Sequence, residues 1–464
     1  MQNLMLQCRL LLLISFMGFY NSSIFSQKNY EFFDGTDKQT YCLMQDANRQ
    51  IEKVRKGDFN LTFTDENGND INAHAVIELQ SHEFMFGADL FGLHKITEDD
   101  PVKIMALKAI DTLFNTVIIC DYWGSNQNEL NGPLNWESPD YGFQVVEDLD
   151  KRGRYHALIF GFPRWLHNFT NEEEMWKAIE ERIKNVAERY GDKIKEVDVI
   201  NEFINYQYWD QNPHAQYLDS IGFPDFAKPE NGLRVLQIAR KHMPHAKLVV
   251  LETNIWDMNN PVFHEIYDYH KYLIEHDAPY DYIGYQAHYY ARGLPFQEGT
   301  PDLGPRTFMM DRINGALEHI STLGKPMVIT EFNPPSRNNK NSNPDQPRLS
   351  DEEIAAWETN FYTLLFSKPY IDGLSRWFTV DNLGGKGMDA GVVSDDGKLK
   401  PNYFALKELI KEKWHTRWEG NIDSEVKFKG YYGTYKISVE GYEDAIINLN
   451  ENINNQTVEM VREF

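Results

Sequence analysis

Two glutamates, each at the end of a run of apolar and β-branched residues, are the residues of this sequence best suited to chemistry. Glu202 follows "VDVIN" and Glu331 follows "MVIT". Two carboxyl groups can share a hydrolytic reaction, because a protonated one donates to the leaving group while an ionised one attacks. One glutamate at a strand end is usually only a solvated side chain, so this hypothesis requires a fold that brings the pair together.

Short β-type runs alternate with longer helical runs between about residues 82 and 417, and this alternation predicts the fold. The eight β-type runs are "EFMFGADL", "TVIIC", "YHALIF", "IKEVDVI", "KLVVLE", "DYIGYQAH", "PMVIT" and "GLSRWFTV". Runs with helical spacing of apolar residues, such as "VKIMALKAIDTLF" and "EEIAAWETNFYTLLFS", separate them. Eight βα units closing into one parallel barrel explain this order, so we predict an α/β fold, a (β/α)8 TIM barrel.

The predicted barrel places both glutamates where such folds carry their active sites, at the carboxyl ends of the strands. Asn201 and Glu202 end the fourth predicted strand, and Glu331 ends the seventh. These strands lie roughly across the barrel from each other, so the two side chains would face one another over the central cleft. Glycosidases that retain anomeric configuration need two carboxyl groups about 5 Å apart, which this arrangement could supply.

The composition narrows the class of partner. The net charge of −24 disfavours binding to nucleic acid or to anionic membranes, whereas a neutral polysaccharide is compatible with it. The aromatic content of 14% suits stacking on sugar rings, although a well-packed core explains it equally well. The sequence has no HExxH motif, no paired CxxC and no EF-hand loop, so we predict neither a metal site nor a cofactor. Nothing in the sequence indicates an oligomeric state.

Several motifs, in their order along the chain, resemble those of glycoside hydrolase family 10, the family of endo-β-1,4-xylanases. The segment "EVDVINEF" resembles the acid/base signature of that family, and "GKPMVITEFN" resembles its nucleophile signature. The segments "FMFGADLF", "RYHALIF", "DYIGYQAHYY" and "GLSRWFTVDN" resemble its first, third, sixth and eighth strands. The resemblance covers about residues 51–414, and the agreement in order and spacing is stronger than any single match.

This resemblance implies a role for each matching residue. Glu202 matches the general acid/base and Glu331 matches the nucleophile of a retaining reaction. The other matches are Asn201 at the sugar 2-hydroxyl, His288 on the nucleophile, Gln286 as a polar site residue, His156 as a barrel histidine and Trp377 as the aromatic floor. Simpler explanations stay open for three of them, since His288 and His156 could be structural histidines and Trp377 could belong to the core.

The sequence departs from the family pattern on the side that holds the non-reducing sugars. Phe160 and Gly161 stand where the family usually has a Trp-His pair, and the region "CDYWGSNQNELNGPLNW" lacks the usual lysine. In that region Trp123 and Asn126 offer other stacking and polar groups, so we include both as candidate substrate-binding residues. The loop after the eighth strand also lacks the family's second tryptophan. These departures affect the identity of the substrate more than the reaction.

We therefore predict a retaining, endo-acting glycoside hydrolase that cleaves β-1,4-xylan or a related β-linked plant or algal polysaccharide. Two alternatives stay open. One is a hydrolase of a different β-glycan, and the other is a non-catalytic glycan-binding protein built on the same barrel. The altered strand ends motivate the second alternative, whereas the presence of both glutamates argues against it.

Outside the barrel, the sequence predicts a signal peptide and two β-rich flanks. A basic start at Arg9 and an apolar run over residues 10–20 predict a signal peptide, residues 1–26, with cleavage near Ser26 and a secreted or periplasmic location. That run is too short to span a membrane, so we predict no membrane insertion.

The two flanks of the barrel are predicted to be β-rich. Residues 27–50 show no clear pattern, but alternating runs on either side of the turn signal "ENGND" make residues 27–81 an accessory β-rich segment. Residues 418–464 alternate similarly, leaving 82–417 for the barrel, and a further hypothesis is that both flanks pair into one β domain. Two free thiols are favoured over a bridge for Cys42 and Cys120.

Overall fold

The structure, a computed structural model, describes residues 36–204, 225–252, 256, 258–288, 310–334, 350–383 and 389–463. The predicted signal peptide lies outside these residues. The chain enters through helix α1 (Thr36–Val54), followed by strands β1 (Lys56–Asp65) and β2 (Asn72–His82). Among the described residues, no helix combines the length and the apolar character needed to cross a membrane.

Eight parallel strands then form a closed barrel in chain order. They are β3 (Met85–Asp89), β4 (Thr116–Cys120), β5 (Arg152–Ile159), β6 (Ile194–Asn201), β7 (Lys247–Glu252), β8 (Tyr282–His288), β9 (Met327–Asn333) and β10 (Ile371–Arg376). Each strand pairs with the next, and β10 pairs with β3 to close the ring. Every predicted strand is present, so the predicted (β/α)8 barrel is confirmed.

Helices follow the strands along the chain. They are α2 (Pro101–Leu113), α3 (Trp123–Asn126), α4 (Glu137–Asp148), α5 (Glu172–Tyr190), α6 (Pro229–His242), α7 (Pro261–Glu275), α8 (Met310–Ser321), α9 (Asp351–Phe366) and α10 (Pro401–Lys407). A π-helical turn, Glu408–Lys413, extends α10, and 3-10 turns lie at Leu93–Lys95, Arg164–Asn168 and Gly191–Lys193. Local signals set the helix starts: Ser350 and Glu353 form a capping box on α9, and the side chain of Asn171 caps α5.

The chain ends in five strands that pair with the first two. They are β11 (Arg417–Asp423), β12 (Glu425–Tyr431), β13 (Gly433–Val439), β14 (Ala445–Leu449) and β15 (Asn455–Met460). With β1 and β2 they form a seven-stranded sheet in the order β14-β13-β2-β11-β12-β1-β15. The hypothesis that both flanks join in one β unit is therefore confirmed.

Two local expectations for the first flank are wrong. Residues 36–54 form helix α1 rather than an unpatterned segment, because Met44, Ala47 and Ile51 lie at helical spacing and are buried. The turn at "ENGND" does form, with the carboxylate of Asp65 accepting backbone N–H bonds from two asparagines that follow it. However, β1 and β2 are not neighbours in the sheet, because β11 and β12 lie between them.

Arg55 ties this accessory part to the barrel. Its guanidinium donates to the backbone oxygens of Phe366, Lys368 and Ile371 at 2.6–2.7 Å. It also lies over the rings of Phe84 and Phe366, 4.8 and 5.2 Å from their centroids. Ile371 opens β10, so this anchor lies at the amino-terminal end of the strands, opposite the face that holds the candidate site.

Candidate active site

The register of neighbouring strands places the candidate residues side by side. Across the β8–β9 ladder, Gln286 pairs with Glu331 and His288 pairs with Asn333. A bulge between Tyr285 and Gln286 sets this register. Because residues two apart on a strand share a face, both pairs project in the same direction at the carboxyl ends of the strands.

One side-chain amide connects the two glutamates. The Nε2 atom of Gln286 lies 2.9 Å from Oε1 of Glu202 and 3.1 Å from Oε1 of Glu331, and donates to both. It also lies 3.3 Å from Oδ1 of Asn201. Two oxygens this close to one nitrogen are at most about 6 Å apart, a separation that suits retention rather than the wider spacing of inverting sites. The structure therefore brings together four residues expected from the sequence.

Glu331 lies in an environment that keeps it ionised. The side chain is buried, and its Oε2 atom accepts a hydrogen bond from Nε2 of His288 at 3.1 Å. Nε2 of His156 lies 3.6 Å from Oε1. Burial alone would raise the pKa of Glu331, but the charge of His156 and the hydrogen bond from His288 outweigh it and lower that pKa. An ionised carboxylate is the form that a nucleophile requires.

His156 belongs to a buried chain of charges that the sequence did not predict. Its Nδ1 atom lies 2.8 Å from Oδ2 of Asp198, and Arg154 binds the other oxygen of Asp198. Burial opposes the charge on His156, but Glu331 and Asp198 outweigh it and raise the pKa of His156. The only signal in the sequence is a set of charged residues inside strands that are otherwise apolar.

Glu202 differs from Glu331 in backbone and exposure. It is half-buried, and its φ of 55° lies in the left-handed region, where residues other than glycine are uncommon. Two hydrogen bonds hold this conformation: the N–H of Glu202 donates to Leu251 O at 3.1 Å, and the N–H of Ile204 donates to the buried carboxylate of Glu252. The turn therefore presents the carboxyl group toward the cleft, where it can exchange a proton with solvent.

Aromatic rings surround the charged residues. The Trp377 ring is buried, with its centroid 5.0 Å from that of His156 and 6.3 Å from that of His288. On the other side, Tyr122 packs edge-on against the rings of His156 and Phe160. Trp377 therefore lies beside both histidines that contact Glu331, and its role as a sugar platform stays a prediction.

The structure does not bring Trp123 and Asn126 into this cluster, and their proposed contact with substrate needs correction. Trp123 is fully buried, and its indole N–H donates to Gln127 at 3.2 Å. Asn126 is also buried and donates to the backbone oxygen of Asn135 at 2.7 Å. Both residues brace the loop after β4, whereas the half-buried neighbour Tyr122 faces His156. A sequence cannot show which of two adjacent aromatic residues turns inward.

Within the described ranges, no group of three or more His, Cys, Asp or Glu side chains could hold a metal ion. In the same ranges, Cys42 and Cys120 are not joined to each other by a disulfide bond.

Comparisons with known proteins agree with this geometry. Residues 95–408 match the sequence profile of glycosyl hydrolase family 10. Endo-1,4-beta-xylanase 3 of Arabidopsis thaliana is 23% identical over 402 residues, which is 84% of this chain and 47% of that protein. Anti-sigma-I factor RsgI6 of Acetivibrio thermocellus is 23% identical over 416 residues, 87% of this chain and 48% of that protein. The chain thus spans about half the length of these curated relatives.

Solved structures show the same fold. Native xylanase 10B from Thermotoga maritima superposes with a TM-score of 0.56 at 21% identity, covering 71% of this chain and 96% of that one. Xylanase 10B from Thermotoga petrophila RKU-1 in complex with xylobiose gives a TM-score of 0.55 at 20% identity, covering 71% and 95%. At these identities the likeness concerns the barrel.

Proposed function

Because the chain belongs to glycosyl hydrolase family 10, we propose that it is a retaining, endo-acting glycoside hydrolase of β-1,4-xylan or a related β-linked polysaccharide. The observation that carries the proposal is the single amide of Gln286 within hydrogen-bond distance of both Glu202 and Glu331. That separation suits a retaining mechanism. The xylanases among the relatives make xylan the first substrate to test.

In the first step, Glu331 attacks the anomeric carbon while Glu202 donates its proton to the glycosidic oxygen. The carbon–oxygen bond breaks, one half of the glycan leaves with a new hydroxyl group, and the other half is held as an ester of Glu331. Asn201 lies beside this pair, so its amide N–H groups can donate to the sugar 2-hydroxyl. Such a bond accelerates the reaction because it strengthens as the oxocarbenium-like transition state forms.

In the second step, the ionised Glu202 takes a proton from a water molecule, and the water oxygen attacks the same carbon. The ester bond breaks, Glu331 regains its negative charge and Glu202 is protonated again. The two attacks occur from opposite sides of the sugar, so the product keeps the starting configuration. The half-buried position of Glu202 suits a group that must exchange protons in both steps.

The residues along the sides of the cleft determine which glycan the protein recognises. The groups described at the ends of β4 and β5 include the aromatic rings of Tyr122 and Phe160, which offer stacking surface. This favours recognition by shape and apolar contact over recognition by a charged side chain. A decorated xylan or another β-glycan is therefore included in the test beside linear xylan.

The test is a hydrolysis panel of linear xylan, arabinoxylan, β-1,3-xylan, mixed-linkage β-glucan and β-mannan. Reducing ends and the anomeric form of the first product are measured, the latter by proton NMR. Glu331→Gln and Glu202→Gln are expected to lose at least about 10³-fold in kcat, whereas Glu459→Gln on the exposed side of β15 is not. Full activity in either of the first two variants would overturn the assignment. Glycan binding with no release of reducing ends would support the non-catalytic alternative.

A secreted or periplasmic location is part of the same proposal. It rests on the apolar run at residues 10–20 and the small residues near Ser26. Sequencing the amino terminus of the exported protein tests it. We expect the mature chain to begin close to residue 27, and retention of the first 26 residues would contradict the prediction.

A further inference from the structure

Two histidines contact the carboxylate of Glu331, and they differ in what binds the other ring nitrogen. Nδ1 of His156 lies 2.8 Å from a carboxylate oxygen of Asp198. Nδ1 of His288 lies 2.8 Å from the amide nitrogen of Asn333. The first partner can only accept a hydrogen bond from the ring, whereas the amide nitrogen of the second can only donate one.

The contact with Asn333 determines where the proton of His288 lies. An amide N–H donates to a ring nitrogen only if that nitrogen carries a lone pair. With the lone pair on Nδ1, the ring proton is left for Nε2, which lies 3.1 Å from Oε2 of Glu331 and can donate to it. Asn333 is fully buried, and its Oδ1 atom has no hydrogen-bond partner in the part of the chain that the structure describes.

We propose that Asn333 is a positioning residue that fixes His288 as the neutral tautomer with its proton on Nε2. Glu331 then receives a hydrogen bond from an uncharged ring on one oxygen and the charge of His156 on the other. The tautomer is inferred from the contacts of His288 with Asn333 and Glu331, whereas its effect on catalysis rests on the proposed hydrolysis.

The difference in charge between His288 and His156 matters because Glu331 loses its own charge when it forms the glycosyl ester. A cation beside the carboxylate stabilises the free nucleophile more than the transition state, in which part of the charge has gone. A second cation would therefore slow the attack. A neutral Nε2–H group orients the carboxylate without adding to that stabilisation.

Other titratable groups lie near Glu331 or near the groups that surround it, so a pH profile must be compared between matched variants. On the described elements they are His156 and Arg154 on β5, Asp198 on β6 and Glu202 just after it, Asp89 on β3, Cys120 on β4, and Tyr122 just after β4. None of them is altered by a substitution at Asn333, so a difference between variants reports on His288.

The test begins with the full-length protein labelled with ¹⁵N at its 14 histidines. Long-range proton–nitrogen correlation spectra at pH 7 distinguish a ring protonated on Nε2, on Nδ1 or on both. The His288 signals are assigned from their loss in His288→Gln. We expect Nε2 to be protonated and Nδ1 unprotonated. A ring protonated on Nδ1, or on both nitrogens, would overturn the proposal.

Asn333→Asp provides the second part of the test, with Asn448→Asp on the exposed side of β14 as the charge-matched control. The new carboxylate accepts from Nδ1–H, so His288 is expected to carry protons on both nitrogens. The acidic limb of the pH profile of kcat/KM should then move to lower pH by roughly one unit, because a second cation favours ionised Glu331. The maximum value of kcat/KM should also be lower. An unchanged tautomer and pH profile in Asn333→Asp would contradict the inference.

The two parts of the test, the NMR spectra and the Asn333→Asp variant, distinguish a failure of this inference from a failure of the proposed function. If the wild-type protein cleaves no glycan of the panel, the proposed hydrolysis fails, and the tautomer of His288 is still decided by the spectra. If the protein is active but His288 is an imidazolium at pH 7, the hydrolysis stands and the role of Asn333 is refuted.

Discussion

Gln286 and Glu331 are direct neighbours across the β8–β9 ladder, and the amide nitrogen of Gln286 donates to Oε1 of Glu331 over 3.1 Å. The same nitrogen donates to Glu202, so one amide contacts the carboxyl groups of both glutamates. This relationship makes Gln286 a stronger test of the site than either glutamate, because it leaves both carboxylates in place.

Replacing Gln286 by leucine should remove that shared donor while nearly conserving volume. We expect kcat/KM on the preferred glycan to fall by about 10²- to 10³-fold, as when one preorganised hydrogen-bond donor is removed from an oxyanion hole. Initial rates over a range of substrate concentrations measure it. Gln144→Leu on the exposed side of α4 is the control, and wild-type activity in Gln286→Leu would contradict the interpretation.

Replacing His156 by glutamine should change the pH dependence of the reaction. Glu331 must be ionised to attack, so kcat/KM falls as pH drops through the pKa of Glu331. His156 lowers that pKa, the largest of the effects that oppose burial. Without it the acidic limb should move to higher pH, by roughly one unit. His276→Gln, at an exposed position on the surface, should leave the limb in place, and a shift to lower pH in His156→Gln would refute the argument.

Asp89 should make the protein less stable as pH rises toward neutrality. Its side chain is buried at the end of β3, and burial raises its pKa from 3.8 to about 7 despite hydrogen bonds from Phe91 and Thr379. Between those two values the folded state holds more protons than the unfolded state, so the free energy of unfolding decreases with pH. Asp89→Asn should weaken that decrease.

Thermal unfolding at several values between pH 4 and 7 measures the difference. The Tm of the wild type should fall with pH more steeply than that of Asp89→Asn, while Asp58→Asn on the exposed side of β1 should follow the wild type. Parallel profiles for the wild type and Asp89→Asn would show that Asp89 is ionised in the folded protein throughout this range.

Arg55 should contribute strongly to stability although it lies far from the site. Arg55→Ala leaves the partly buried backbone oxygens of Phe366, Lys368 and Ile371 without the Arg55 donor. We expect a loss of about 2–4 kcal/mol in the free energy of unfolding, measured by urea denaturation. Arg417→Ala removes an exposed arginine that pairs with Glu419 and should cost less than about 1 kcal/mol. Equal losses in both variants would argue against the anchor.

Much of the architecture was predictable because it depends on local patterns. Short β-type runs that alternate with helical runs located all eight barrel strands, and the pairing of the two β-rich flanks was also confirmed. The strand ends then placed Glu202 and Glu331 at the same face. By contrast, helix α1 was missed because its polar residues obscure the buried face formed by Met44, Ala47 and Ile51.

The sequence by itself determined the eight-fold alternation and the positions of the two glutamates, since these follow from residues close together in the chain. Only the tertiary structure decided that one amide joins the glutamates, that Asp198 and Asn333 bind different histidines, and that Tyr122 rather than Trp123 faces the site. These contacts depend on strand register, on a bulge before Gln286 and on which way adjacent side chains turn. Register and orientation are fixed by packing between distant parts of the chain, and no local pattern encodes them.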